Sequence, residues 1–361
     1  MAPGRGDADQ AGADATAQAP TFRALAPLRV GRISVSPPVV QAPMSAITNL
    51  PMRTLTEEQG CGLTITEFLP AAGIAARHAG TLSRVTPSKR SRAFGVQIYG
   101  RDADQMQRAA AVVVDMGAAL VDINMGCPGK KVTSGACGAA LMRDPPLAES
   151  IVRAVVRGVD GAAEVSVKMR AGWDDKRLNA PELAERLVGA GAQMITVHGR
   201  TRDQRYAGEV DLDIIARVKA RLGRDVPVLA NGDITGRASL ERALAHTGCD
   251  GAMIGRAALG NPWLFFDFAE LYAGRARPEA PTRRARVEMY GRHLALYLEQ
   301  SDPQRAIIEM RKFAPWYLES LDDGEALCRH IYRTRELAPL RALLARAAAG
   351  ECFGTLQADA A

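Results

Sequence analysis

Lysine is scarce here. Of the 46 basic residues in this 361-residue chain, seven are lysines (Lys89, Lys130, Lys131, Lys168, Lys176, Lys219 and Lys312) and 39 are arginines. Coding bias accounts for much of that ratio, because alanine and glycine are also abundant, but it makes a lysine inside an apolar strand conspicuous. No run of about 18 apolar residues occurs, which excludes a membrane-spanning helix. Met1 to Pro20 lacks the apolar core of a secretion signal and reads as an Ala/Gly/Asp/Gln tail. None of the six cysteines (Cys61, Cys127, Cys137, Cys249, Cys328, Cys352) falls in a C-x-x-C pair, so no zinc or iron–sulfur centre is expected. Without a secretory signal no disulfide framework is expected either, and the reading is a cytoplasmic monomer with free thiols.

The 47% hydrophobic content is that of a globular protein, and the length admits two domains or one barrel with an appendage. A net charge of +6 with pI about 9.1 hints mildly at a polyanionic partner.

Eight short apolar runs recur with helical stretches between them: Val39–Ala42, Leu63–Thr66, Phe94–Ile98, Leu120–Ile123, Val165–Met169, Met194–Val197, Val228–Ala230 and Gly251–Ile254. They are rich in β-branched residues and show no polar alternation, as buried parallel strands do. Eight strands alternating with helices over about 230 residues predict a (β/α)8 TIM barrel. A doubly wound sheet is the alternative, but the G-x-G-x-x-G turn that would favour it is missing after the first strand. After Arg275 the strand signal stops. Helices are expected over Arg286–Glu299, Pro303–Ser320, Gly324–Thr334 and Leu337–Ala348. The expected division is a disordered tail over 1–22, the α/β barrel over 23–274, a small all-helical C-terminal domain over 275–348, and a flexible tail over 349–361. Residues 275–346 hold 14 basic and 10 acidic residues, so most of the charge excess falls there.

In a barrel, catalytic groups gather at the C-terminal ends of the strands. The informative residues fall at those places. Asn231-Gly232-Asp233 ends the seventh strand and Gly255-Arg256 the eighth, the usual phosphate position, where small residues admit backbone N–H groups to phosphate oxygens. Lys168 lies in an apolar strand, where an ammonium needs a partner or a task, such as balancing negative charge on a reduced flavin. Gln97 suits the edge of an isoalloxazine ring, and His198 either that ring or a phosphate. Cys127, in a Gly-Cys-Pro turn past the fourth strand, is placed to act as nucleophile or as proton donor.

Taken in order, these segments resemble the tRNA-dihydrouridine synthases, in particular the bacterial B-type branch. The resemblance runs from Ala42 to about Trp263 and more loosely to Leu318. It is carried by Ala42-Pro43-Met44, Val96-Gln97, Asp122 to Pro128 with Lys130-Lys131-Val132, Val167-Lys168 through Trp173-Asp174-Asp175, His198 through Arg202, Asn231 through Ile234, Ile254-Gly255-Arg256, Gly260 through Trp263, and Arg311-Lys312 with Trp316-Tyr317-Leu318. It implies reduction of particular tRNA uridines with FMN and NADPH or NADH. It assigns FMN to Pro43, Met44, Ser45, Gln97, Lys168, His198, Asn231, Gly232, Asp233, Gly255 and Arg256. It makes Cys127 the acid that protonates uracil C5 while flavin N5 delivers hydride to C6, and it puts Asn124 and Arg170 at the uracil edge or its phosphate. It also implies that the helical domain grips tRNA. Ser45, Phe313 and Pro315 depart from the commoner family residues. The competing readings are a flavin barrel acting on a small pyrimidine, similar to dihydroorotate dehydrogenase, and an RNA-binding barrel without catalysis.

Overall fold

The computed structural model describes residues 21–22, 25–91 and 93–354. Its strands are β1 (Leu28–Val30), β2 (Ile33–Val35), β3 (Val39–Gln41), β4 (Leu63–Ile65), β5 (Leu69–Pro70), β6 (Phe94–Tyr99), β7 (Leu120–Met125), β8 (Glu164–Arg170), β9 (Met194–His198), β10 (Val228–Asn231) and β11 (Gly251–Ile254). The parallel order β4-β3-β11-β10-β9-β8-β7-β6 closes through a β4–β6 pairing. This is the expected eight-stranded barrel, and the eight apolar runs are its strands. Helices between the strands cover its outside.

Strand alternation divides the buried residues into two sets. Val121, Ile123, Val165, Val167, Ile195 and Val197 face outward and pack against helices such as Pro145–Val159 and Ala180–Gly189. At the N-terminal end, Leu120, Met194, Leu229 and Met253 pack with Leu28, Val30, Ile33 and Val35 of the antiparallel β1–β2 ribbon. The ribbon thus plugs the bottom of the barrel with apolar side chains. Nearer the C-terminal end the buried set is polar: Gln97, Asp122, Asn124, Ser166, Thr196, His198 and Asn231. An apolar floor under a polar mouth is what a binding site at the strand ends requires.

The C-terminal helices Arg283–Leu298, Pro303–Arg311, Ala314–Leu318, Gly324–Arg333 and Leu337–Ala348 share a separate core that includes Tyr290, Met310, Tyr317, Leu327 and Leu340. The single helix expected over Pro303–Ser320 is two. Pro315 cannot donate to the preceding turn, and it stands in the first turn of the second helix, where that donor is not needed. The ribbon and β5 had not been expected.

At the inner end of each expected tail, single aromatic residues are packed against the body of the protein. Residues 1–20 and 355–361 lie outside the described residues. Phe22 is buried against Tyr272, with ring centroids 5.4 Å apart. Phe353 is buried as well: its N–H donates to Asp323 at 2.8 Å, and its ring packs on His330. Burial of an aromatic side chain is favourable enough to hold such a position against the body of the protein. No helix among the described residues is long and apolar enough to cross a membrane.

Candidate active site

Strand register assembles the site. Parallel pairing sets Gln97 beside Asp122, Asp122 beside Ser166, and Asn124 beside Lys168. It also sets Arg170 beside His198, and His198 beside Asn231. Residues up to 134 positions apart in sequence therefore line one end of the barrel without any loop having to reach them.

Lys168 donates to the Oδ1 of Asn231 at 2.9 Å, and Asn231 donates onward to the Met253 carbonyl at 2.8 Å. The immediate partner of the ammonium is thus a neutral amide. Burial, with Arg170 nearby, pulls its pKa down to about 8, against the pull of Asp122. Arg170, itself buried, donates to the carbonyls of Gly126 (2.7 Å), Thr201 and Arg205 (both 2.8 Å). Burial lowers its guanidinium to about 10, so it stays cationic at neutral pH. His198 is buried, and burial together with Lys168, Arg170, Arg200 and Arg256 holds its imidazole neutral far below the usual range. Four cationic side chains thus converge on the mouth.

Asp233 is their main counter-charge. Arg200 donates to both of its oxygens, at 2.9 and 2.5 Å, and Arg256 to one at 3.1 Å. These bonds hold its carboxyl below the ordinary range. Of the phosphate-turn residues read from sequence, Asp233 serves here through its charge on two arginines. Gly232 has φ +121°, and a Cβ there would meet Val210 and His198 at 2.7 and 2.9 Å, so the close approach requires glycine. Gly255 adjoins Ala42, whose N–H donates to Ile254 at 2.8 Å. That brings Pro43, Met44 and Ser45 to the same end of the barrel. Their turn is pinned by the Thr48 hydroxyl on the Met44 N–H (2.8 Å) and by Glu67 on the Ala46 N–H (2.7 Å).

Cys127 is half-buried just past β7. Its backbone N–H and that of Gly126 donate to the Oδ1 of Asn124, at 2.9 and 3.1 Å. Burial pushes the thiol up, while a bond with Gly129 and the charges of Arg170 and Lys168 oppose the shift. The thiol is therefore protonated at neutral pH. That favours the proton-donor alternative over the nucleophile, since the thiolate is the nucleophilic form. Gln97 donates to Asp122 at 2.5 Å and accepts from Asn124 at 2.8 Å, so its amide lies within a buried polar chain.

Three residues of the site were not read from sequence. Arg200 anchors Asp233, Asp122 closes the buried chain, and Tyr206 is 55% exposed with its ring near Arg256 (4.7 Å) and Arg170 (5.6 Å). The Tyr206 ring centroid is also 6.5 Å from that of His198. Arg200 and Asp122 lay in segments singled out from the sequence but were given no role there; nothing in the spacing marked Tyr206.

Residues 40–347 match the family model "Dihydrouridine synthase (Dus)". A probable tRNA-dihydrouridine synthase of Rhodobacter capsulatus is 41% identical over 297 residues, covering 80% of this chain and 88% of the relative. tRNA-dihydrouridine synthase B of Xanthomonas campestris pv. campestris is 40% identical over 294 residues, covering 80% and 86%. Among solved structures, morphinone reductase superposes with a TM-score of 0.52 at 13% identity, over 74% of this chain and 93% of that one. Histamine dehydrogenase from Rhizobium sp. 4-9 does so with a TM-score of 0.55 at 12% identity, over 75% and 50%. At those identities the likeness is of fold alone. With the family matched across most of its length and curated relatives near 40% identity, the chain belongs to the dihydrouridine synthase family.

Proposed function

We propose that this protein reduces uridine in tRNA to 5,6-dihydrouridine, using FMN re-reduced by NADPH or NADH. The observation that carries this reading is a protonated Cys127 thiol beside a desolvated Lys168 at one barrel mouth.

The residues present fit an anionic flavin. Lys168, Arg170, Arg200 and Arg256 outnumber the nearby carboxylates, and burial raises the pKa of one of those, Asp122. Gly232, at φ +121°, makes a turn past β10 that a side chain would obstruct, at the strand end where backbone N–H groups suit a phosphate. Pro43, Met44, Ser45, Gln97, Lys168, His198, Asn231, Gly232, Asp233, Gly255 and Arg256 would hold FMN. When bound and reduced, it supplies the hydride that adds to uracil C6.

The chain's own side chains supply the rest. Lys168 places positive charge in a low-dielectric site, where it offsets developing negative charge more strongly than in water. The Cys127 Sγ–H donates a proton to C5. Arg170 has its Nε and Nη1 committed to carbonyls and keeps Nη2 for a uracil oxygen or its phosphate. Asn124 keeps one Nδ2 hydrogen for the same edge. Both ring faces must be reached, so the base has to leave its stack. Binding the tRNA body is assigned to the helices over 275–348, with the protein acting as a cytoplasmic monomer.

The test is to purify the protein, identify any released flavin, and map dihydrouridine in tRNA from cells with and without the gene. The expected result is FMN and the loss of dihydrouridine at defined positions. Protein that takes up no FMN, with an unchanged dihydrouridine map, contradicts the proposal. Reduction of a free pyrimidine without any effect on tRNA would favour the small-substrate reading.

A further inference from the structure

We propose that Asp122, buried in the barrel beneath the mouth, is a positioning residue that sets the Cys127 loop through Gln97 and Asn124; this rests on Cys127 being the proton donor. The side chain of Asp122 accepts from the Ser166 hydroxyl at Oδ1 and from Gln97 Nε2 at Oδ2, both at 2.5 Å. Accepting at both oxygens, Asp122 takes the Gln97 amide with Nε2 inward and Oε1 outward. That oxygen accepts from Asn124 Nδ2 at 2.8 Å, which in turn points Asn124 Oδ1 outward. Oδ1 then accepts both the Gly126 and the Cys127 N–H. The two amides are thus held from both ends, by Asp122 on the inside and by the Gly126 and Cys127 N–H groups at the loop.

Without that acceptor, Gln97 Nε2 is left buried and unpaired, so Gln97 has to shift. The shift takes the inner support from Asn124 and loosens its hold on the Gly126 and Cys127 N–H groups. Asp122, Gln97 and Asn124 are all buried, so water does not replace the missing contacts. Displacement of the donor atom by about 1 Å is enough to slow a reaction by roughly a hundredfold.

Asp122→Ala removes the terminal acceptor. Asp122→Asn keeps an oxygen for Gln97 and turns its NH2 to the Ser166 hydroxyl, which accepts. In single turnover with reduced, FMN-loaded protein, Asp122→Ala is expected to slow dihydrouridine formation about tenfold to a hundredfold, with FMN content and tRNA affinity held. Asp122→Asn is expected to recover most of the rate, and adding Asp122→Ala to Asn124→Ala is expected to cost nothing further. A wild-type rate in Asp122→Ala, additive losses in the double variant, or a loss of FMN that accounts for the rate would each overturn the proposal.

A second readout needs no activity. Alkylation of Cys127, resolved by peptide mass spectrometry, is expected to quicken by on the order of threefold or more relative to Cys137 in Asp122→Ala, as a loosened loop exposes its thiol. Buried Cys249 reports whether the barrel stays folded. An unchanged Cys127 to Cys137 ratio overturns the proposal even if the protein makes no dihydrouridine, so its failure is separable from failure of the functional reading.

Discussion

At Lys168 two requirements oppose each other, because a site that needs a positive charge has desolvated the group that carries it. The folded pKa of about 8 lies below the ordinary 10.5. Above the ordinary value the amine is neutral in both states and burial costs nothing through ionisation. Below the folded value it is charged in both states and the full penalty applies, about 3 kcal/mol. Stability attributable to this residue therefore rises with pH between about 8 and 10.5. Urea unfolding of flavin-free protein should show Lys168→Met gaining on wild type at pH 7, with the gap narrowing by pH 10. A gap independent of pH would mean that the ammonium is not desolvated. This residue was legible in the sequence because lysine is rare here and an apolar strand is the wrong place for one. Cys127 and Gly255-Arg256 were legible for a similar reason, as polar or small residues just past apolar runs. Tyr206 was not, and Asp122 was legible only as the start of a strand-end run, without its role. What they do depends on neighbours that register and loop geometry bring near, such as Ser166 beside Asp122 and Arg256 beside Tyr206.

Among the elements, the eight barrel strands were readable to within about three residues, since a strand buried on both faces is a continuous apolar run. The three-residue strands of the β1–β2 ribbon alternate buried and exposed positions, too briefly for a period to register. Charge in the C-terminal helices was readable in amount but not in availability. Arg283 pairs with Asp323, Arg284 with Glu288, Arg292 with Glu58, Arg329 with Glu325, Arg346 with Glu351 and Lys312 with Glu309. Arg305, Arg335 and Arg341 have no carboxylate partner among the described residues. A cation already paired releases fewer counterions on meeting a phosphate. Reversing the charge of Arg305, Arg335 and Arg341 should weaken tRNA binding and flatten its salt dependence more than reversing Arg284 and Arg346. Equal effects in a filter-binding salt series would show that pairing does not govern the contact.

Across the whole molecule, the helical layer is fixed to the barrel at the loops after β3 and β11 and along the helix Leu50–Glu58. Asn49, in the loop after β3, donates to the Tyr297 hydroxyl, and Arg292 reaches Glu58 at 2.7 Å. Arg286 lies over Trp263, with its guanidinium 5.9 Å from the ring centre. Gly260, at φ +59°, meets the backbone of Trp316 so closely that a Cβ would collide with it. Gly260→Ala should therefore strain the junction and lower the melting temperature by several degrees, an expected cost of about 1–3 kcal/mol; an unchanged melting curve would show that the contact gives way freely. Held in this way, the helices stand beside the same opening that carries Cys127 and Lys168, as expected if one layer grips the tRNA and the other does the chemistry. The most direct measurement is an anaerobic single turnover of reduced, FMN-loaded protein with unmodified tRNA, comparing wild type with Cys127→Ala. The account predicts dihydrouridine from wild type and a loss of about a hundredfold or more in the variant, with FMN content and tRNA affinity unchanged. Equal rates in the two proteins would contradict it.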